Sequence, residues 1–144
     1  MSEFINDKKN AQLKALFASH KEVLFAYVFG SHARGDTGPS SDVDLACFLD
    51  SMKNSRKVSN LHVQLVTETG TVLHMDAVDM IILNESPLPL QFNIIYEGKL
   101  VFERDQSRRI DFEVKTMRLF FDRQYYYRYA MRKTVHSIAE RGIL

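Results

Sequence analysis

The chain has 144 residues, 45% of them hydrophobic, with 19 basic against 18 acidic residues and one cysteine. That is enough apolar material for one core in one domain, and no stretch approaches the roughly 18 consecutive apolar residues of a membrane span. The N-terminus M-S-E-F-I-N-D-K-K-N lacks the apolar centre of a signal peptide, and the lone Cys47 has no internal disulfide partner, so a cytoplasmic protein is expected.

Residues 4–19 place Phe4, Ile5, Leu13, Leu16 and Phe17 among good helix formers and predict a helix. Val23 to Phe29 is aromatic and β-branched and stops at Gly30, which reads as a buried strand. His32 to Ser41, with Gly35, Gly38 and Pro39, is loop with room for one helical turn. Asp42 to Leu49 is the second strand, with Cys47 a small buried residue in its apolar pattern. Lys53 to Glu68 suits a helix with apolar positions Val58, Leu61, Val63, Leu65 and Val66, ended by Gly70. Val72 to Leu83 alternates enough for a third strand and is broken off by Asn84-Glu85-Ser86-Pro87. Leu88 to Tyr96 has helical spacing, and Lys99 to Glu103 is a short strand. From Asp105 to about Ala139 there is no Gly or Pro, which predicts one long helix or two. The expected class is α+β: a small mixed sheet with flanking helices and a long C-terminal helical segment. Residues 1–103 would form the core and 104–144 a helical extension packed on the same domain.

The chemistry is concentrated between Gly30 and Asp44. Asp42 and Asp44 stand one residue apart at the start of a strand, so both carboxylates leave the same face. Like charges at that separation repel unless a cation or a shared proton compensates. A hard divalent cation with oxygen ligands, Mg²⁺ in phosphate chemistry, is the economical solution. Gly30-Ser31, leaving a strand, can turn backbone N–H groups and a hydroxyl toward a phosphate. This chemistry needs a third carboxylate from a neighbouring strand. Asp76 and Asp79 are both candidates; three residues apart, they point to opposite strand faces, so only one can join.

The spacing G-S-x10-D-x-D with strand-like flanks resembles the nucleotidyltransferases of the DNA polymerase β superfamily, and among them the minimal nucleotidyltransferases. The resemblance covers roughly residues 20–103 and rests on Gly30, Ser31, Asp42 and Asp44, extended by Ala33-Arg34-Gly35, Ser41 and the segment Val78-Asp79 through Pro87. It implies a polymerase-β-like palm and transfer of a nucleoside monophosphate, AMP from ATP, to a hydroxyl. Gly30 and Ser31 would hold the outer phosphates. Asp42, Asp44 and Asp79 would hold Mg²⁺ in a two-metal site, with Asp79 alternatively the base. Arg34 would neutralise phosphate charge or simply be a solvated loop arginine.

The resemblance also implies a partner. Minimal nucleotidyltransferases of this size are commonly antitoxins that AMPylate a tyrosine of a small helical HEPN-type toxin. A small-molecule, antibiotic-type adenylyltransferase and a non-catalytic toxin-binding module are the alternatives. Charge is unevenly spread, with 9 Lys/Arg against 13 Asp/Glu in residues 1–103 and 10 against 5 in residues 104–144. Tyr125-Tyr126-Tyr127 with Arg123, Arg128, Arg132 and Lys133 could form a protein interface or pack as a helix face. Nucleic-acid binding through these residues is not favoured. A homodimer or hetero-oligomer is left open. The residues Phe112, Val114, Met117, Leu119, Phe120 and Phe121 read as a helix-packing stripe, and His20, His62, His74 and His136 lack zinc-ligand spacing.

Overall fold

A computed structural model describes residues 7–30 and 43–141. The elements are α1 (Asp7–Ser19), β1 (Val23–Phe29), β2 (Val43–Leu49), α2 (Ser55–Leu73), β3 (Val78–Ile82), a 3₁₀ turn (Leu83–Glu85), α3 (Leu88–Glu97), β4 (Lys99–Glu103) and α4 (Gln106–Arg141). The strands form one mixed sheet in the order β3-β2-β1-β4. β1 pairs antiparallel with β2 and β4, whereas β2 and β3 run parallel. Parallel neighbours need a crossover long enough to return the chain to the same end of the sheet, and α2 supplies it.

Helices cover both faces, which explains why all seven residues of β1 are buried and why its sequence is continuously apolar. On one face, Val43, Leu45, Cys47 and Leu49 of β2 meet Leu13 and Phe17 of α1 and Leu65 and Leu73 of α2. On the other, Phe25, Tyr27 and Ala46 meet Ile94 of α3, with Phe48 and Phe112 of α4 packed against them. Phe25 stacks on Phe48 with ring centroids 4.8 Å apart, and Phe112 tilts onto Phe48 at 5.0 Å.

Two boundaries differ from the sequence expectation. The second helix does not stop at Gly70 but runs to Leu73, ending on His74 in the left-handed conformation. Leu65, Thr69 and Leu73, four residues apart, are all buried, so the core-facing stripe passes through the glycine and keeps the helix intact. Val63 falls off that stripe and is exposed. The third strand therefore shrinks to Val78–Ile82. The Gly- and Pro-free C-terminal segment is a single helix of 36 residues.

Polar side chains close the joints. Asn84 acts as a one-residue extension of the sheet: the Leu49 N–H donates to its Oδ1 and its Nδ2 donates to the Leu49 carbonyl, both at 2.8 Å. The Arg104 guanidinium donates to the carbonyls of Val23, Phe17, Ala18 and His20, and so satisfies the exposed end of α1. Tyr27 donates to Glu113, which also accepts from Arg109, tying α4 to the sheet. His20 Nε2 donates to Glu68 Oε2 at 2.6 Å, linking α1 to α2.

Asn84→Ala leaves the Leu49 N–H and carbonyl unpaired and is expected to cost about 1–3 kcal/mol, read from the denaturant midpoint. The His20 hydrogen bond holds the Glu68 carboxyl below the usual carboxylate range, opposed by burial. A folded-state pKa below the unfolded one gives stability that is complete above about pH 4.3 and is lost as pH falls through the folded value. Glu68→Gln should therefore lower the denaturant midpoint at pH 7 by more than it does at pH 3.

Candidate active site

β1 ends with Phe29 opposite Asp44 on β2. The next residue, Gly30, has φ +72°, a backbone state that side chains rarely adopt. A Cβ built there would overlap the Asp44 carboxylate, so the backbone passes directly over this acid. The Gly of the Gly-Ser pair is thus required twice, by its torsion angle and by the proximity of Asp44.

On the other side of β2, Asp79 of β3 stands in register with Asp44. Partners in register on adjacent strands share a sheet face, and adjacent strands lie about 4.8 Å apart. The two carboxylates therefore leave the sheet side by side on the face shared with Ala46 and Phe48. Helix α4 covers that face at Phe48 through Phe112 and leaves Asp79 exposed. Asp76, expected on the opposite face of the same strand, is not on the strand. It lies in the bend between α2 and β3, because α2 takes up residues first read as strand. Ser31, Arg34 and Asp42 lie outside the described residues, so the structure brings together Gly30, Asp44 and Asp79 from the expected set.

Among the described residues no group of three His, Cys, Asp or Glu side chains could hold a metal ion. The pair Asp44 and Asp79 presents carboxylate oxygens on one face of the sheet. This all-oxygen set suits a hard divalent cation. Three further chemistry-bearing groups have other engagements. Cys47 is fully buried and its thiol is pushed up to about 12 by burial, which leaves it unreactive. The Tyr27 phenol is pushed up by burial and by its hydrogen bond to Glu113. His136 pairs with Glu140 on its own helix.

His62, to which the sequence assigned no role, proves structural. A cavity of about 750 Å³ runs along the outer edge of β3 and is lined by His62, Met80, Asn84 and Ser86 among others. His62 Nε2 donates to the Met80 carbonyl at 2.5 Å, and Ser86 Oγ donates to that of Ile82 at 2.8 Å. Both side chains occupy acceptors on an edge strand that would otherwise invite another strand. Eighteen residues separate His62 from Met80, and no local pattern announces the contact.

The family profile described as "Polymerase beta, Nucleotidyltransferase" matches residues 11–107. The chain belongs to the polymerase β nucleotidyltransferase family. No curated protein sequence is significantly similar to it. Solved structures share its fold. A chain of a toxin–antitoxin structure with AMP-PNP has a TM-score of 0.67 at 21% identity, covering 90% of this chain and 98% of that one. A chain of the MntA–HepT toxin–antitoxin gives 0.62 at 19%, covering 89% and 97%. One from Shewanella oneidensis, a tri-AMPylated HEPN toxin in complex with MNT antitoxin, gives 0.62 at 20%, covering 89% and 96%. The nucleotidyltransferase family thus takes here a mixed four-stranded sheet between helices, with the paired carboxylates at the start of two parallel strands.

Gly30→Ala forces a methyl group into the Asp44 carboxylate and strains the turn. It should reduce nucleotidyl transfer by at least about 100-fold while the far-UV circular dichroism spectrum stays unchanged, a combination checked by assaying transfer and fold on the same sample.

Proposed function

We propose that this nucleotidyltransferase moves AMP from ATP to a tyrosine hydroxyl of a helical HEPN-type toxin and acts as its antitoxin. The observation that carries the reading is the side-by-side placement of Asp44 and Asp79 beside the Gly30 turn in a member of this family. It draws support from two solved relatives of the same fold, one with AMP-PNP and one an MNT antitoxin in complex with a tri-AMPylated HEPN toxin.

In this reading residues 1–103 are the catalytic unit and 104–144 the extension. Gly30 and Ser31 present backbone and hydroxyl donors to the outer phosphates of ATP, and Arg34 offsets their charge. Asp42, Asp44 and Asp79 are the residues that would hold Mg²⁺, as one ion or two. Bound there, the metal supplies positive charge against the phosphates and favours ionisation of the attacking hydroxyl. The acceptor oxygen forms a bond to the α-phosphorus as the bond to pyrophosphate breaks. Asp79, exposed on its strand, completes the ligand set or takes the hydroxyl proton. The acceptor keeps AMP, and pyrophosphate leaves.

Incubation with Mg-ATP and the HEPN-type protein that this reading expects beside it in the genome should give partner adducts of AMP mass. Asp44→Asn should lower that transfer by at least about 100-fold with the fold unaltered. Undiminished transfer by the variant would rule out the proposed site, and a wild-type chain that modifies no such partner would rule out the proposed acceptor.

A further inference from the structure

Helix α4 has 36 residues, and among the described residues only its first half is covered. Phe112 packs on the sheet, Thr116 is buried, and Phe120 stacks on Phe92 of α3 with centroids 3.9 Å apart. Beyond Phe121, Asp122 to Arg141 form about 30 Å of helix. The contacts described there stay within the helix: Lys133 over the Tyr129 ring, Thr134 to the Ala130 carbonyl, His136 to Glu140 and Arg141 to the Ser137 carbonyl. A solitary helix of this length is marginal in water, and most helical stability comes from packing.

The seam that holds the first half continues along the second. Thr116 and Phe120 face the body, and from Phe120 the positions Gln124, Tyr127, Met131, Thr134 and Ile138 follow at alternating steps of four and three. That 3.5-residue average keeps one stripe facing a neighbouring helix in left-handed packing. Among the described residues no helix takes that neighbour's place: Tyr127 is 65%, Met131 47% and Ile138 41% exposed. Arg123 and Arg128 border the stripe on its two sides, at about 60° and 80° from its centre by helical geometry. Residues 122–141 carry five Lys/Arg against two Asp/Glu. Two copies of this arm laid together would bring two net-positive segments into contact, whereas acidic flanks would complement both borders.

The geometry points to a docking seam: Tyr127, Met131 and Ile138 of the free arm receive an amphipathic α-helix with acidic flanks, contributed by the helical partner protein rather than by a second copy of this chain. The partner's identity rests on the function proposed above, whereas the seam and the charge of its occupant rest on α4 alone. Docking through a separate arm lets the partner bind independently of the reacting groups, so affinity and transfer can be measured apart.

The test is calorimetric titration of the full chain with the HEPN-type partner, alongside sedimentation of the chain alone. Met131→Glu combined with Ile138→Glu should weaken the complex by at least about 100-fold. Arg123→Glu with Arg128→Glu keeps the apolar seam and should weaken it by about 10-fold, with a smaller salt dependence than wild type. Both should bind Mg-ATP as wild type does, and Asp44→Asn should bind the partner with unchanged Kd. A seam variant with wild-type affinity overturns the docking site even where AMP transfer is intact. A wild-type dimer in sedimentation that the seam variants abolish makes a second copy the occupant and overturns the proposal in the other direction. Tight binding without AMP transfer would sink the proposed function and leave the seam standing.

Discussion

The parallel registration of β2 with β3 is the constraint on which the site depends. Asp44 and Asp79 lie 35 positions apart in sequence and meet only because Val43 pairs with Val78 and Cys47 with Ile82. A slip of one residue would send Asp79 to the opposite face, since side chains alternate along a strand. Several features hold that register. Leu45 and Cys47 face α1 and α2 together with Met80 and Ile82, so any slip would expose apolar side chains. Asn84 then locks the far end by gripping both polar groups of Leu49.

The same packing places like charges side by side at one end of an apolar sheet. Such an arrangement contributes nothing to a core and is tolerable where a cation or phosphate chemistry uses it. Gly30 belongs to the same compromise, since its backbone must pass where any other residue would collide with Asp44. The burden of stability falls elsewhere: on the doubly covered β1, on the aromatic stack of Phe25, Phe48 and Phe112, and on the link from Tyr27 to Glu113 and Arg109. A rigid sheet is what fixes these two carboxylates at neighbouring positions on one face.

Helix α4 divides its residues between two tasks. Its first half closes the core over Phe48 and against α3. Its second half carries the stripe onward with no described residue packed against it, and its aromatic and basic residues lie on the surface. The sequence expectation of a packing stripe therefore holds for Phe112 and Phe120, while Val114, Leu119 and Phe121 remain substantially exposed.

Local sequence determined the element types, because hydrophobic period, glycine placement and the absence of Pro are local properties. Strands at Val23–Phe29 and Lys99–Glu103 and the helical tail could be read directly, as could the glycine that ends β1 and the strand carboxylate Asp44. The α2–β3 boundary could not be read, because Gly70 is a helix breaker only until Thr69 and Leu73 are seen buried against the core. The family resemblance already favours Asp79 over Asp76, and what tertiary structure adds is the pairing with β2 that sets Asp79 beside Asp44. The roles of His62, Asn84 and Arg104 lie in contacts with residues 18 to 87 positions away. Such pairings leave no periodic trace in the chain, since they arise from which strand edge or helix end the packed sheet leaves unsatisfied.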